Sequence, residues 1–364
     1  MRHNATAMTE SLQSVAPRRL ERNVPLAPLT TLGIGGPAKH FVRAESVDEI
    51  REVMAWAAAQ RQPLLILGGG SNVLIADEGF DGVVLQIDLR GITLREEDPE
   101  SVIVYVAAGE RWDDFVTFAV DRGWAGIECL SGIPGLTGAT PIQNVGAYGQ
   151  EVSETIIRVE AVERDTGRVV TLTNHECGFG YRKSVFKNAA KDRYIVAGVT
   201  FRLKPRGEAT IRYPELQSYL DTHDIDVREL RQVRDAVIAI RKRKGMVLDP
   251  SDPDTRSDGS FFMNPIVTPQ QFDAFLSRAA TKDVPHFPSG DQIKLSAAWL
   301  IEHAGFHKGF VYGNVGLSSK HTLAVINRGG GTAREVLELV GMIQERVRER
   351  FGMEIQPEPI FVGF

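Results

Sequence analysis

The sequence predicts an α+β protein in which two subdomains clasp one ligand and a smaller α+β domain follows them. Three observations indicate this fold class. Short apolar strand patterns alternate with amphipathic helix patterns along the chain, and two separate segments, 68–75 and 131–149, are rich in glycine. A third segment, 245–259, is rich in Pro, Asp and Ser. Because such composition is typical of linkers, we expect a domain boundary there.

The first subdomain is predicted over 23–90, after a tail over 1–22 that we expect to be flexible. The capping-box pattern Ser46-Val-Asp-Glu49 predicts a helix, because apolar residues follow it at helical spacing as far as Ala57. Short apolar runs predict strands at 39–44, 63–67 and 83–87.

The second subdomain is predicted over 91–244 and the last domain over 245–355. A capping box, Thr332-Ala-Arg-Glu335, opens the final helix, and Gly352 ends it. In the second subdomain the patterns predict strands at 102–108, 156–163, 168–173 and 194–203, and helices at 112–119 and 225–243. In the last domain they predict helices at 269–279, 294–304 and 335–351 and a strand at 322–327.

Composition limits the classes of function. The 364 residues have a net charge of −5 with both signs mixed, so no basic field for nucleic acid is expected. The two cysteines, Cys129 and Cys177, have no metal-ligand spacing, which predicts no metal site and leaves a disulfide open. With no signal-peptide pattern and no apolar run long enough to cross a bilayer, we expect a cytoplasmic protein without membrane insertion.

The first glycine-rich segment directly follows a buried strand pattern. Consecutive glycines let the backbone approach a ligand closely, and consecutive N–H groups bind anions. A tight turn between strands is the alternative, but one or two glycines would suffice for it. The third glycine favours a phosphate-binding loop, for which we expect contacts from Gly68, Gly69, Gly70, Ser71, Asn72 and Val73.

The second glycine-rich segment is a long loop of Gly, Pro, Ala and Asn. A flexible surface loop is the alternative, but its apolar residues argue against a solvated linker. Two such segments suit one ligand that has a pyrophosphate and a large ring. The expected contacts of this segment are Ile133, Pro134, Gly135, Gly138, Ala139, Thr140, Gln143, Asn144, Gly146, Ala147 and Tyr148.

These two segments resemble the FAD-binding domain of the vanillyl-alcohol-oxidase and p-cresol-methylhydroxylase type. The second segment is also closely similar to the signature of the UDP-N-acetylenolpyruvoylglucosamine reductase family, in its branch with a tyrosine loop. The likeness runs from about residue 24 to the C-terminus. It includes the motifs at 179–187, 259–265, 295–301 and 357–363.

The resemblance implies an oxidoreductase of peptidoglycan precursor synthesis, and we expect the protein to be a monomer. Enzymes of this family use NADPH to reduce UDP-N-acetylglucosamine enolpyruvate to UDP-N-acetylmuramate, with FAD as the non-covalently bound cofactor. The flavin passes a hydride to the substrate double bond. The carbanion left beside the carboxylate then needs a cation and a proton donor.

The catalytic residues also follow from the resemblance. Arg182 matches an arginine that stabilises the enolate, Ser260 a serine that donates the proton, and Glu358 a catalytic glutamate. Taken without the resemblance, these residues would be assigned plainer roles in a surface ion pair, a turn and a tail. We expect residues 356–364 to return to the flavin, because Glu358 must reach it.

Three further residues are expected to contact the substrate. Tyr213 matches a tyrosine of a loop that closes over the UDP group, and Lys244 matches a lysine that binds substrate phosphate. Asn264 is expected to bind the sugar or the diphosphate. Met263 stands where relatives have a lysine, which leaves the role of a cation at that position open.

Two other functions stay open at this point. A sugar or alcohol oxidase has the same flavin domain, but many such oxidases attach FAD through His or Cys, and neither glycine-rich segment contains one. A non-catalytic nucleotide-binding module would not need Arg182, Ser260 and Glu358 together. The fold alone does not decide among these functions.

Overall fold

The structure is a computed structural model that describes residues 16–281 and 283–364. The tail predicted over 1–22 lies largely outside this range, and its last two residues belong to strand β1 (Glu21–Pro25). Helices and strands are mixed throughout, which confirms the predicted α+β class. Within the described ranges, every helix is too short or too polar to cross a lipid bilayer.

A mixed sheet with one helix forms the first part of the chain. Its elements are β1, β2 (Pro37–Ala44), α1 (Val47–Ala59), β3 (Leu64–Leu67), β4 (Val73–Ile75) and β5 (Phe80–Ile87). The strand order is β1-β2-β5-β3, with β5 parallel to both of its neighbours. The predicted helix cap is confirmed, because Ser46 Oγ accepts a hydrogen bond from Glu49 N at 3.2 Å.

An antiparallel sheet with flanking helices forms the second part. Its elements are β6 (Ile92–Glu97), β7 (Val102–Ala107), α2 (Trp112–Asp121), β8 (Trp124–Ala125), β9 (Gly146–Ala147), β10 (Gln150–Glu151), β11 (Ile156–Glu163), β12 (Val169–Thr173), β13 (Tyr194–Pro205), α3 (Pro214–Thr222) and α4 (Leu230–Arg243). The strands predicted at 156–163 and 168–173 are confirmed as β11 and β12, which pair with each other in antiparallel fashion. The helix predicted over 225–243 begins only at Leu230, and α3 precedes it with Pro214 in its first turn.

Two small antiparallel sheets and three helices form the described third part. Its elements are β14 (Ile266–Val267), α5 (Pro269–Ala279), β15 (His286–Ser289), β16 (Gln292–Leu295), α6 (Ala297–His303), β17 (Val311–Tyr312), β18 (Val315–Leu317), β19 (Val325–Asn327), α7 (Ala333–Phe351) and β20 (Ile360–Val362). The helix predicted from 294 starts later, because Ser296 Oγ caps α6. The capping box of α7 and its stop at Gly352, where φ is +65°, are confirmed.

Two large apolar cores stabilise these parts. One extends from β2 to α4, and the free thiols of Cys129 and Cys177 are buried in it. The other fills the third part and also includes Leu32, Ile34 and Leu74 of the first part. Because this core crosses the predicted boundary, the first and third parts pack as one body around it. The predicted boundaries themselves stay a prediction.

Two contacts fix the third part and the C-terminus beside the first glycine-rich segment. The Asp77 carboxylate accepts hydrogen bonds from Ala333 N (2.7 Å) and Arg334 N (3.1 Å), at the N-terminus of α7, where a negative charge is favourable. Strand β20 pairs in parallel with β4, which directly follows Asn72. The end of the chain therefore lies next to the loop that was predicted to bind phosphate.

Candidate active site

A cavity of about 420 Å³ lies among the three parts of the chain. Both glycine-rich segments, the turn at Arg182 and the C-terminal segment contribute to its wall. It brings together most of the residues predicted from the sequence. Those that line it are Gly68, Gly69, Gly70, Ser71, Asn72, Val73, Ile133, Pro134, Ala139, Thr140, Gln143, Gly146, Ala147, Tyr148, Arg182, Tyr213, Lys244, Ser260 and Glu358.

The two glycine-rich segments approach each other backbone to backbone. A Cβ placed on Gly69 would lie 2.7 Å from Gly135 Cα, which is closer than real contacts allow. Asn72 Nδ2 donates a hydrogen bond to Gln143 Oε1 at 2.8 Å and joins the loops through their side chains. Glycine is thus required for this approach, and the resulting cradle fits a cofactor that spans both segments.

Three of the predicted contact residues lie behind the cavity wall. Gly138 packs against Ala108, whose Cβ would be 2.5 Å from an added Cβ. Asn144 is fully buried and has a left-handed backbone with φ of +48°. Its Nδ2 donates hydrogen bonds to Glu151 Oε2 at 2.7 Å and to Gly180 O at 3.1 Å. With Gly135, these residues shape the second loop and are absent from the cavity lining.

Arg182 lies at the tip of a tight turn. Gly180 and Lys183 exchange two backbone hydrogen bonds of 3.1 and 3.0 Å, so Arg182 takes a left-handed conformation with φ of +53°. Its Nη2 donates to Gly146 O at 3.1 Å, and its Nε lies 2.9 Å from Glu358 Oε1. The turn therefore directs the guanidinium to the C-terminal segment. Strained residues of this kind cluster at functional sites.

The C-terminal segment is held against the chain that follows Ser260. Glu358 N donates to Phe261 O at 2.8 Å, and Met263 N donates to Gln356 O at 2.9 Å. The Glu358 side chain is 10% exposed. Since Ser260 directly precedes this backbone pairing, Ser260 and Glu358 lie in the same wall of the cavity.

The other end of the cavity combines aromatic rings with a cation. Lys244 Nζ pairs with Glu215 and lies 5.7 Å from the centre of the Tyr148 ring. The Tyr213 and Tyr148 rings pack edge to face, with their centres 5.5 Å apart. Burial raises the pKa of Tyr148 to about 12. These phenols therefore stay neutral at physiological pH, and the cluster suits a base or a diphosphate.

Asn264 is placed elsewhere. Its Oδ1 accepts a hydrogen bond from Ala297 N at 2.9 Å, in the first turn of α6. It is absent from the cavity lining, because its side-chain oxygen is used to hold the start of that helix.

Four ionisable residues that the sequence analysis did not assign also line the cavity: Lys187, Arg241, Asp258 and His321. Among the described residues, Lys187 Nζ and Asp258 Oδ2 are buried without a hydrogen-bond partner. Burial raises the pKa of Asp258 to about 8 and lowers that of His321 to about 4. Lys187 belongs to the 179–187 motif and Asp258 to the segment 245–259, both singled out in the sequence. Arg241 and His321 stand at positions without a distinguishing pattern.

Comparison with known proteins gives a consistent result. Residues 38–173 match the FAD binding domain family, and residues 249–362 match the family described as UDP-N-acetylenolpyruvoylglucosamine reductase, C-terminal domain. A protein of that enzyme name from Thermobifida fusca is 49% identical over 349 residues, which are 94% of this chain and 98% of the relative. One from Streptomyces coelicolor is 46% identical over 363 residues, covering 96% of this chain and 93% of the relative.

A solved structure gives the same likeness at the level of the fold. The crystal structure of UDP-N-acetylenolpyruvylglucosamine reductase from Thermus caldophilus superposes with a TM-score of 0.62 at 26% identity. The match covers 94% of this chain and 99% of that chain. The similarity therefore extends over the FAD-binding part and the last domain together.

Proposed function

The chain belongs to the UDP-N-acetylenolpyruvoylglucosamine reductase family, and we propose that it uses NADPH to reduce UDP-N-acetylglucosamine enolpyruvate to UDP-N-acetylmuramate in peptidoglycan precursor synthesis. It is an FAD-dependent oxidoreductase. One observation supports the proposal most directly: a single cavity is lined by both glycine-rich segments together with Arg182, Ser260 and Glu358.

FAD is held by the two glycine-rich segments. Their close backbone approach forms a cradle in which consecutive N–H groups suit a pyrophosphate. Neither segment contains His or Cys, so binding is non-covalent. When bound, FAD supplies the hydride chemistry, which the side chains of this chain cannot provide.

Arg182 binds the negative charge that develops on the substrate. Reduction adds a hydride to the methylene carbon and a proton to the carbon beside the carboxylate, and between the two additions the charge spreads over that carboxylate. A guanidinium stays charged and can bind it through two N–H groups. Arg182 Nε is near Glu358 but lacks an aligned hydrogen bond, which leaves it able to turn toward the substrate.

Ser260 donates the proton to the carbon beside the carboxylate. A lone serine is a weak acid, so this role depends on groups that return a proton to its oxygen. Support comes from its place in the cavity wall next to Phe261 and Phe262, which are buried and exclude water. Glu358 pairs with Arg182 and supplies the catalytic carboxyl beside it.

The UDP group is bound at the other end of the cavity. Lys244 pairs with the diphosphate, and Tyr213, which is 38% exposed, closes over the nucleotide. Because Lys244 already pairs with Glu215, substrate binding must exchange one anionic partner for another. Asn264 holds the start of α6, and its contact with the sugar or the diphosphate stays a prediction.

The proton-donor role is tested by separating the two half-reactions. In Ser260→Ala, NADPH should still bleach the flavin at the wild-type rate, whereas reoxidation by the enolpyruvyl sugar should slow by about 100- to 10,000-fold. Ser277→Ala, which removes an exposed hydroxyl on α5, is the matched control. Equal survival of both half-reactions in Ser260→Ala would rule out the role.

Family membership argues against the two alternatives from the sequence analysis, an oxidase and a nucleotide-binding module. An oxidase would reoxidise rapidly in air with its own alcohol substrate and would ignore NADPH. A binding module would bind the nucleotide without turnover. Stopped-flow spectra with NADPH, oxygen and the enolpyruvyl sugar separate the three functions.

The wider cellular role belongs to the same proposal. Both substrates are nucleotide-linked metabolites, which favours a cytoplasmic location, and the product would connect the enzyme to cell-wall synthesis, cell shape and division. We propose a monomer. Sedimentation of the FAD-loaded protein tests the monomeric state, and a dimer would contradict it.

A further inference from the structure

Lys187 lies in the cavity wall as a buried cation without a partner. Among the described residues, its Nζ makes no hydrogen bond. Burying an unpaired ammonium is unfavourable, and a lysine in that position is usually compensated by an anion. Burial is the main reason that the pKa of Lys187 is lowered, with Arg182 lowering it further and Glu358 raising it. An arriving anion would therefore stabilise this group.

The backbone that carries Lys187 is anchored to the second glycine-rich segment. Lys187 N donates to Ser184 Oγ at 3.4 Å, and Ser184 Oγ in turn donates to Ile142 O of the second glycine-rich segment. Phe186 is buried next to it. The Lys187 side chain thus extends from a turn that is hydrogen-bonded to the cofactor cradle.

The charges around this position leave one cation in excess. Arg182 and Glu358 form an ion pair and cancel each other. Lys187 interacts with the charges of both of these residues. The excess positive charge therefore lies beside Arg182 and Glu358, at the reacting end of the cavity.

We propose that Lys187 binds the carboxylate of the enolpyruvyl or lactyl group together with Arg182, and that it makes the site selective for UDP-sugars that bear an acid. This inference rests on the proposed function. Arg182 shares its guanidinium with Glu358, so a second cation is needed if the substrate carboxylate is to be fully paired.

The test compares two ligands that differ in the acid. Calorimetric titration of the oxidised, FAD-loaded enzyme is made with UDP-N-acetylmuramate and with UDP-N-acetylglucosamine, which lacks the carboxylate. In Lys187→Met, affinity for UDP-N-acetylmuramate should fall by about 10- to 100-fold, the effect of one charge-assisted hydrogen bond. Affinity for UDP-N-acetylglucosamine should not change. Lys183→Met, at an exposed lysine in the neighbouring turn, is the matched control.

Two results would overturn the inference. If both ligands lose affinity equally, Lys187 serves the nucleotide or the flavin, and if neither does, it binds no ligand. Wild-type turnover of the enolpyruvyl sugar tests the proposed function separately. If the wild type turns over the enolpyruvyl sugar and Lys187→Met keeps its affinity for both ligands, only the present inference is rejected.

A measurement on the wild-type enzyme covers the case in which Lys187→Met does not fold. The preference for UDP-N-acetylmuramate over UDP-N-acetylglucosamine should decline at a lower pH than an ordinary lysine would require, because burial lowers the pKa of Lys187. Arg182 and Glu358 are the charged groups that act on Lys187. Titration of the uridine is common to both ligands and cancels. A preference that is constant up to the pKa of an ordinary lysine would contradict the inference.

Discussion

Asp258 gives the prediction with the largest expected effect on stability: Asp258→Asn should stabilise the flavin-free protein at neutral pH. The carboxyl is 8% exposed, and its Oδ1 accepts a hydrogen bond from Thr31 Oγ1 at 3.0 Å. Its Oδ2 has no partner among the described residues. Burial without a compensating cation raises the pKa to about 8. Asparagine has the shape of the protonated acid and no charge to bury.

The magnitude follows from the difference between the two pKa values. In the unfolded chain the pKa of an aspartate is about 3.9, and each pH unit above it corresponds to about 1.4 kcal/mol. The folded protein keeps the proton up to about pH 8, so between these values the folded state binds more protons and stability falls as pH rises. At pH 7, retaining the proton costs about 4 kcal/mol of unfolding free energy, and at pH 5 about 1–2 kcal/mol.

Urea unfolding of the flavin-free protein at several pH values tests this prediction. The stability gained by Asp258→Asn should grow with pH over the range between the two pKa values. Asp273→Asn, at an exposed position on α5, serves as the control and should be nearly neutral at every pH. A gain that does not change with pH, or a loss of stability, would refute the assignment of Asp258 as a buried acid.

The remaining predictions concern the cradle and the helix caps. Gly69→Ala should destabilise the flavin-free protein by about 1–3 kcal/mol and weaken FAD binding, because the new Cβ meets Gly135. Gly68→Ala is the control: its Cβ would lie 3.8 Å from the nearest atom, so stability should not change. Equal effects of the two substitutions would refute the close approach of the loops. Asn144→Ala should cost about 2–4 kcal/mol in urea unfolding, since it leaves buried partners unpaired, and a loss below 1 kcal/mol would contradict this. Thr332→Ala should cost about 1 kcal/mol by thermal unfolding while Thr332→Ser keeps the cap, and equal stability of the two variants would contradict it.

Local patterns predicted the elements that have strong boundary signals. The capping boxes at Ser46 and Thr332 located α1 and α7 to within two residues, because the bonding pattern at a helix start is local. The start of α4 was less well predicted, since amphipathic spacing extends through the loop before it. The start of α6 was predicted too early, at residue 294, because β16 continues to Leu295, immediately before the Ser296 cap.

The site could be predicted where a motif marks it, but not where an isolated residue completes it. The glycine-rich segments identified the cradle because consecutive glycines are rare without a reason. Asp258 and His321 line the same cavity, yet their burial depends on contacts with distant parts of the chain. Asn264 shows the opposite case, since its motif is present but the side chain holds α6. Long-range packing determines whether such a residue lines the site, and sequence spacing alone does not predict that packing.

The central claim is most directly tested by anaerobic absorption spectroscopy of the FAD-loaded protein. The account predicts that NADPH bleaches the flavin and that UDP-N-acetylglucosamine enolpyruvate then restores the oxidised spectrum with formation of UDP-N-acetylmuramate. A flavin that bleaches but returns only with oxygen would contradict the assigned substrate. A protein that shows no flavin spectrum even after addition of FAD would contradict the account of both glycine-rich segments.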